Sequence, residues 1–167
     1  MGNAHLNEHD RRILVVDDEE SILDLFTLYL TDWGRERGFS VLPARSAAEA
    51  LAVLERHDAS IDLIISDLNM PGMKGSDFLL AAKERYPDIA TMIVSGGADL
   101  EQMRKIIGAG VFSYLVKPCD SALLTSEAEK ALEVTRLKRE NRRYEQRIKD
   151  ELRWAGDQGL GVAAIAL

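Results

Sequence analysis

Three aspartates, a serine and a lysine, each placed directly after or at the end of an apolar run, are the residues of this sequence best suited to chemistry. They are Asp17, Asp18, Asp67, Ser95 and Lys117. Carboxylates a few ångströms apart repel one another, and a bound cation relieves that repulsion. Mg²⁺ favours oxygen ligands, commonly one or two carboxylates with water and phosphate oxygens. Because a lysine ammonium and a hydroxyl suit a phosphoryl group, these residue types predict Mg²⁺-assisted phosphate chemistry on an aspartate nucleophile.

The apolar runs beside these residues have the composition of buried strands, and helical periodicity separates them. The five predicted strands are Ile13–Val16, Phe39–Leu42, Ile61–Ile65, Ala90–Val94 and Phe112–Val116. Five β–α units with short connections predict an α/β fold, a doubly wound five-stranded parallel sheet with helices on both faces. The carboxyl ends of the strands would then gather the polar residues at one edge. Asp and Ser also begin helices as N-caps, and each of them singly fits that simpler interpretation, whereas Lys117 does not.

Composition argues against several other kinds of site. The 167 residues include one cysteine, Cys119, and three scattered histidines, so neither a disulfide framework nor a zinc site is expected. No Gly-rich nucleotide loop occurs, which favours a covalently attached phosphoryl group over a bound nucleotide. The net charge of −7 argues against direct nucleic-acid binding. A signal peptide or membrane span would need a longer apolar segment, so a cytoplasmic protein with no membrane contact is expected.

Four short motifs resemble the receiver domain of bacterial two-component response regulators. They occur in the family's order and at family-like separations, and the resemblance covers about residues 11–134. The matching segments are Ile13–Glu19, Asp67–Gly72, Val94–Gly96 and Tyr114–Pro118. The resemblance implies a flavodoxin-like sheet with the strand order 2-1-3-4-5, followed by an extended C-terminal helix.

The resemblance also implies roles for the acidic residues. Asp67 corresponds to the phospho-acceptor, which takes the phosphoryl group from the phosphohistidine of a histidine kinase or phosphotransfer protein. Asp18, Asp67 and the backbone carbonyl of Asn69 would hold Mg²⁺, and Asp17 would act through a metal-bound water. These expectations describe a protein that phosphorylates and slowly dephosphorylates itself and is otherwise not an enzyme.

Three further residues correspond to the family's switch. Lys117 would pair with Asp67 and then with the phosphoryl oxygens, and the resemblance implies a cis bond between it and Pro118. Ser95 would donate a hydrogen bond to the phosphoryl group, and Tyr114 would turn inward when that hydroxyl moves, unless it is an ordinary strand aromatic. The resulting change would be read on the face formed by the fourth helix, fifth strand and fifth helix.

A single helix over residues 120–154 is predicted, because this segment contains neither Gly nor Pro and is rich in strong helix formers. A short heptad pattern begins at Val134, and its candidate dimerisation residues are Val134, Leu137, Asn141, Tyr144 and Ile148. Asn at an a position favours parallel dimers in register. The alternative is a solvated helix that packs on its own domain. Acidic residues interrupt the basic residues of the helix, so a solvated face is favoured over a DNA contact.

The predicted organisation has four parts. Residues 1–10 form a disordered N-terminus, residues 11–120 the receiver core, residues 120–154 the helix that becomes a coiled-coil linker, and residues 155–167 a tail or the stub of a missing output domain. A polar loop of no assigned function is predicted at Trp33–Gly38.

Two other functions remain open at this point. A receiver-like adaptor that takes no phosphate would retain the fold but not bind Mg²⁺ or become labelled. A Mg²⁺-dependent phosphohydrolase with an aspartate nucleophile would turn over phosphomonoesters. The adjacent pair Asp17 and Asp18 does not match the Asp-x-Asp pattern of haloacid dehalogenase-like enzymes, and the complete acidic set with Lys117 disfavours the adaptor.

Overall fold

The structure is a computed structural model that describes residues 11–57 and 60–159. The predicted disordered segment 1–10 lies outside the described residues, as do residues 160–167 of the predicted tail. Within the described ranges, no helix is long and apolar enough to cross a membrane.

Five strands alternate with five helices along the chain. The strands are β1 (Arg11–Val16), β2 (Phe39–Ala44), β3 (Ile61–Ser66), β4 (Ala90–Ser95) and β5 (Ser113–Val116). The helices are α1 (Glu20–Arg35), α2 (Ala47–His57), α3 (Gly75–Arg85), α4 (Leu100–Gly108) and α5 (Ser121–Asp157). All neighbouring strands pair in parallel, in the order β2-β1-β3-β4-β5. The predicted α/β fold, its strand order and its extended C-terminal helix are confirmed.

Helices cover both faces of the sheet, which explains why the central strands are apolar along their whole length. One core cluster joins the sheet to α1 and α5 through side chains such as Phe26 and Leu124. The other joins it to α2, α3 and α4 through Leu54, Phe78 and Ile106. Every residue of β3 and β4 is buried. The carboxyl ends of the strands are therefore held by two packed layers.

Helix α1 extends further than the sequence pattern predicted. It ends at Arg35, so residues 33–35 of the predicted loop Trp33–Gly38 are helical and the loop prediction is wrong for them, whereas residues 36–38 form a turn. The indole of Trp33 stacks on Phe39 with ring centroids 6.1 Å apart. A Cβ on Gly34 would lie 3.2 Å from the Cβ of Phe39, so glycine permits this close approach of helix and strand. Glycine has a low intrinsic helix propensity, so the packing of α1 against β2, and not local propensity, explains why the helix continues through Gly34.

Helix α5 is unbroken from Ser121 to Asp157. It continues beyond the predicted end at Trp154, so residues 155–157 of the predicted tail are helical. The first compact unit of the chain ends at Thr135, within this helix. The buried hydroxyl of Thr135 accepts a hydrogen bond from the Ala90 N–H (2.9 Å) and donates one to the Asp62 carbonyl (2.6 Å). These bonds fasten α5 to the amino ends of β3 and β4. Val134 is partly buried against the core.

In the second unit, apolar side chains of α5 lie in solvent. Leu137, Tyr144 and Ile148 are 50%, 53% and 57% exposed, and Asn141 is also exposed. These four residues recur at the three- and four-residue spacing of one helix face. They are called the apolar stripe below.

Candidate functional site

The site is built from the carboxyl ends of three parallel strands, of which β1 and β3 are neighbours and β4 separates β3 from β5. Strand β1 leads directly into Asp17, β3 into Asp67, and β5 into Lys117. The backbone N–H of Asp67 donates to the carbonyl of Val16 at 2.9 Å. The chain therefore continues the β1–β3 ladder up to the residue that carries the carboxylate.

Three carboxylates converge at this edge. Ligand oxygens of Asp17, Glu19 and Asp67 all lie within 4.8 Å of one another. Asp17 and Asp67 are only 2% and 5% exposed, and backbone amides orient both of them. The Glu19 N–H donates to Oδ1 of Asp17 at 2.9 Å, and the Leu68 N–H donates to Oδ1 of Asp67 at 2.7 Å. We call these three residues the acidic cluster.

Lys117 supplies one positive charge to the acidic cluster. Its Nζ lies 2.7 Å from Oδ2 of Asp17, 3.5 Å from Oε1 of Glu19 and 3.6 Å from Oδ2 of Asp67. Burial by itself lowers the pKa of the Lys117 ammonium, but the hydrogen bond and charge of Asp17, with the charges of Asp67 and Glu19, raise it overall. The peptide bond that follows, to Pro118, is cis, as the resemblance implied.

The pKa of the Asp17 carboxyl is also raised, but for a carboxyl an increase disfavours the charged form. Burial raises the pKa of the Asp17 carboxyl, the hydrogen bonds from Lys117 and from the Glu19 N–H lower it, and the neighbouring Asp67 raises it, for a net increase. One ammonium faces three carboxylates at this edge, so the acidic cluster keeps an excess of negative charge. A second cation at this edge would relieve the excess negative charge.

Asp18 does not join the acidic cluster. Its side chain is exposed and lines a cleft of about 830 Å³ between the loops that follow β3 and β4. Asn69, Gly97, Asp99 and Gln102 line the same cleft. Glu19, which the sequence interpretation did not single out, joins Asp17 and Asp67, whereas Asp18 lines the cleft together with Asn69.

Ser95 ends β4 and is fully buried. Its Oγ accepts a hydrogen bond from Nδ2 of Asn69 (3.3 Å) and donates one to the carbonyl of Gly97 (3.2 Å). The Asn69 amide also donates to the Gly97 carbonyl at 3.0 Å. The predicted hydroxyl is thus tied to the loop that begins with Asp67.

The family model of the response regulator receiver domain matches residues 13–129. The chain belongs to this family. The match covers β1 from residue 13, the other four strands and the first turns of α5, and so includes every residue of the acidic cluster and Lys117. The receiver fold and its edge of acidic residues are therefore properties that this chain shares with the family.

Solved structures and curated proteins agree with this assignment. A response regulator receiver domain protein from Clostridium thermocellum is 33% identical, with a TM-score of 0.68 over 76% of this chain and 98% of that one. The alginate biosynthesis transcriptional regulatory protein AlgB of Pseudomonas aeruginosa is 36% identical over 90% of this chain and 31% of its own length. A putative NtrX-like response regulator of Rickettsia bellii is 31% identical over 89% of this chain and 30% of its own length. The chain spans about a third of the length of these curated relatives.

The donor atoms of the receiver site fit Mg²⁺. The acidic cluster offers carboxylate oxygens, the hard ligands that Mg²⁺ prefers, and Asp18 adds another carboxylate at the cleft. Three carboxylates face a single ammonium, and a divalent cation would reduce the remaining repulsion between them. The described residues thus provide the charge and the ligand type, and the predicted ligand Asp18 lines the cleft.

A glycine, Gly75, allows α3 to approach the loop that carries Asp67. Gly75 begins α3, and a Cβ there would overlap the carbonyl oxygen of Asp67 and lie 2.8 Å from the Cα of Leu68. The sequence interpretation missed this requirement, for which a glycine soon after the Asp67 loop is the available signal.

Tyr114, the predicted switch aromatic, is partly buried and packs against the core cluster on the α2–α3–α4 side.

Proposed function

We propose that this receiver domain accepts a phosphoryl group on Asp67 from the phosphohistidine of a histidine kinase or phosphotransfer protein, with Mg²⁺ as cofactor. The single observation that carries the proposal is the position of Asp67. Its carboxylate is nearly buried, shares Lys117 with Asp17, and lies in an acidic cluster whose oxygens fit a divalent cation.

The transfer exchanges one bond to phosphorus for another. A carboxylate oxygen of Asp67 forms a bond to phosphorus, the phosphorus–nitrogen bond to the donor imidazole breaks, and the nitrogen keeps the electron pair and is protonated. The ammonium of Lys117, 3.6 Å from Oδ2 of Asp67, stabilises the negative charge on the transferring group. Asp67 and the Asn69 backbone carbonyl would hold Mg²⁺ together with either Asp18 or the other carboxylates of the acidic cluster. The bound ion would supply positive charge to the phosphoryl oxygens.

The proposed switch starts at Ser95. When its hydroxyl turns to donate to a phosphoryl oxygen, it gives up the hydrogen bond to the Gly97 carbonyl, and the packing of β4 against β5 can change around Tyr114. The proposed readout is the face of α4, β5 and α5, where Leu100, Ile107 and Val116 are largely exposed. In this proposal the domain is a cytoplasmic switch that turns over no separate substrate.

We propose that the apolar stripe on α5 pairs with the same stripe of a second copy. Burial of apolar side chains favours association, and an Asn141 pair would select a parallel arrangement in register. The homodimer would pass the switch to an output domain outside this chain. That part of the proposal is supported by relatives such as AlgB, which is named a transcriptional regulatory protein and is about three times as long.

Labelling with acetyl phosphate and Mg²⁺, followed by intact mass measurement, tests the proposal. The unsubstituted protein is expected to gain one phosphoryl group, and Asp67→Asn to gain none. Asp32→Asn, which removes an exposed carboxylate on α1, is the matched control and is expected to label normally. Undiminished labelling of Asp67→Asn would contradict the proposal. Failure of the unsubstituted protein to bind Mg²⁺ or take up phosphate would favour an adaptor, and turnover of a phosphomonoester would favour a phosphohydrolase.

A further inference from the structure

Gln102 uses both ends of its side-chain amide in hydrogen bonds, although it lies outside the acidic cluster. It is buried in the first turn of α4. Its Oε1 accepts from the Asp99 N–H at 3.1 Å, while Oδ1 of Asp99 accepts from the Gln102 N–H at 2.8 Å. This reciprocal pair is a capping box that begins α4. The other end, Nε2, donates to Oδ1 of Asn69 at 3.2 Å.

The orientation of both amides follows from their neighbours. A carbonyl oxygen can only accept, so the Gly97 carbonyl requires the NH₂ end of Asn69, which lies 3.0 Å away. The oxygen of Asn69 must then face Gln102, which has to offer a donor. Because the Asp99 N–H needs an acceptor from the same side chain, a carboxamide at position 102 satisfies both demands at once.

Asn69 connects Gln102 to the loop that carries Asp67. It follows Asp67 by two residues and lines the cleft together with Asp18 and Gln102. Its amide also donates to Oγ of Ser95 at 3.3 Å. Gln102 fixes the oxygen end of the Asn69 carboxamide, while Ser95 and the Gly97 carbonyl fix its NH₂ end. Without Gln102 only the NH₂ end is held, and the exposed side chain can rotate more freely.

We propose that Gln102 is a positioning residue for the phosphoryl group on Asp67. It holds the Asn69 carboxamide in the cleft and thereby limits the access of water to the phosphorylated aspartate. This inference rests on the proposed function, since it concerns the lifetime of the same phosphoryl group. Hydrolysis in this site forms a bond from water oxygen to phosphorus and breaks the bond to the Asp67 oxygen, which leaves as carboxylate.

Gln102→Glu separates this role from the capping of α4. The glutamate keeps an oxygen acceptor for the Asp99 N–H, as in the usual capping box, but it cannot donate to Asn69. Rotation of the Asn69 amide would not repair the contact, because its oxygen would then face the Gly97 carbonyl. Gln102→Met is the neutral second variant, which removes both hydrogen bonds at similar side-chain volume.

The experiment measures the loss of the phosphoryl group after acetyl phosphate is removed, together with the Tm of each variant. We expect Gln102→Glu and Gln102→Met to lose the group about three- to tenfold faster, the range that one hydrogen bond covers. We expect the Tm of Gln102→Glu to match that of the unsubstituted protein. The difference should persist at high salt, where a long-range charge effect would be screened. An unchanged or slower loss in either variant would overturn the inference. If the unsubstituted protein takes up no phosphate, the proposed function fails instead, which is a different result.

Discussion

The Nζ atom of Lys117 lies 2.7 Å from Oδ2 of Asp17, a residue exactly one hundred positions earlier in the chain. The contact joins the ends of β5 and β1, which are separated by β4 and β3, and Asp67 follows the end of β3. The ammonium reaches all three members of the acidic cluster. The same side chain is therefore expected to balance charge in the resting protein and on the transferring phosphoryl group.

Removal of the shared ammonium should destabilise the protein in the absence of a metal. We expect Lys117→Met to lower the free energy of unfolding by about 1–3 kcal/mol, because it leaves buried carboxylates without their charged partner. Mg²⁺ should restore more stability to this variant than it adds to the unsubstituted protein. Urea denaturation with and without Mg²⁺ measures both effects. Lys105→Met, which removes an exposed ion pair with Asp77, should lose much less, and an equal loss in the two variants would contradict the shared role of Lys117.

Removal of a crowded carboxylate should have the opposite effect. The pKa of Asp17 is raised from its ordinary value of 3.8, first by burial, so the folded state binds more protons than the unfolded state between that value and the raised one. The free energy of unfolding therefore falls as pH rises through this window. Asp17→Asn should lack that fall, so it should be more stable than the unsubstituted protein at neutral pH without metal. Each ~1 kcal/mol added to the free energy of unfolding raises the Tm by about 2–4 °C. Thermal unfolding across pH tests this, with exposed Asp32→Asn as control. A lower Tm for Asp17→Asn at neutral pH would contradict the prediction.

Gly75 should not tolerate a side chain. Its Cβ would collide with the carbonyl of Asp67 and approach the Cα of Leu68, so either α3 or the acceptor loop has to move. We expect Gly75→Ala to cost about 1–3 kcal/mol, as overpacking does, and to slow labelling by acetyl phosphate. Gly108→Ala is the matched control, because a Cβ there meets nothing within 4 Å. Normal stability and labelling of Gly75→Ala would show that the close approach is unimportant.

The apolar stripe on α5 should control self-association. Ile148→Lys places a charge on the stripe, whereas Gln146→Lys places the same charge on a different face, where it can replace the present hydrogen bond to Asp150. We expect the first variant to shift the protein towards monomer and the second to associate normally. Light scattering over a range of concentrations, with and without beryllofluoride and Mg²⁺, measures this. Equal association of the two variants would contradict a dimer built on the stripe.

Much of the fold follows from local patterns in the sequence. Apolar runs such as Ile13–Val16 predict buried strands, and the helix-forming segment after Asp120 predicts one long helix, because burial and helix propensity act within a few residues. The extension of α1 through Trp33 and Gly34 could not be predicted in this way. It depends on the stacking of Trp33 on Phe39, which exists only after β2 lies beside α1.

The candidate site was predictable to the level of the strand ends. Asp17, Asp67 and Lys117 meet because parallel strands share an edge, and sequence order is enough to anticipate that. The direction in which each side chain points was not predictable: Glu19 turns towards the acidic cluster and Asp18 towards the cleft. The anchoring of Asn69 by Gln102 was also missed, because two amides 33 positions apart have no pattern that links them before the loops are in place.

Chemical trapping of the modified residue tests the central claim most directly. After labelling with acetyl phosphate and Mg²⁺, borohydride reduces an acyl phosphate to an alcohol, and peptide mass mapping then locates the altered side chain. We predict that the aspartate converted to homoserine is Asp67, in a single modified peptide. Conversion at Asp17, Asp18 or Glu19, or a phosphoryl group that borohydride does not remove, would contradict the assignment of Asp67 as the acceptor.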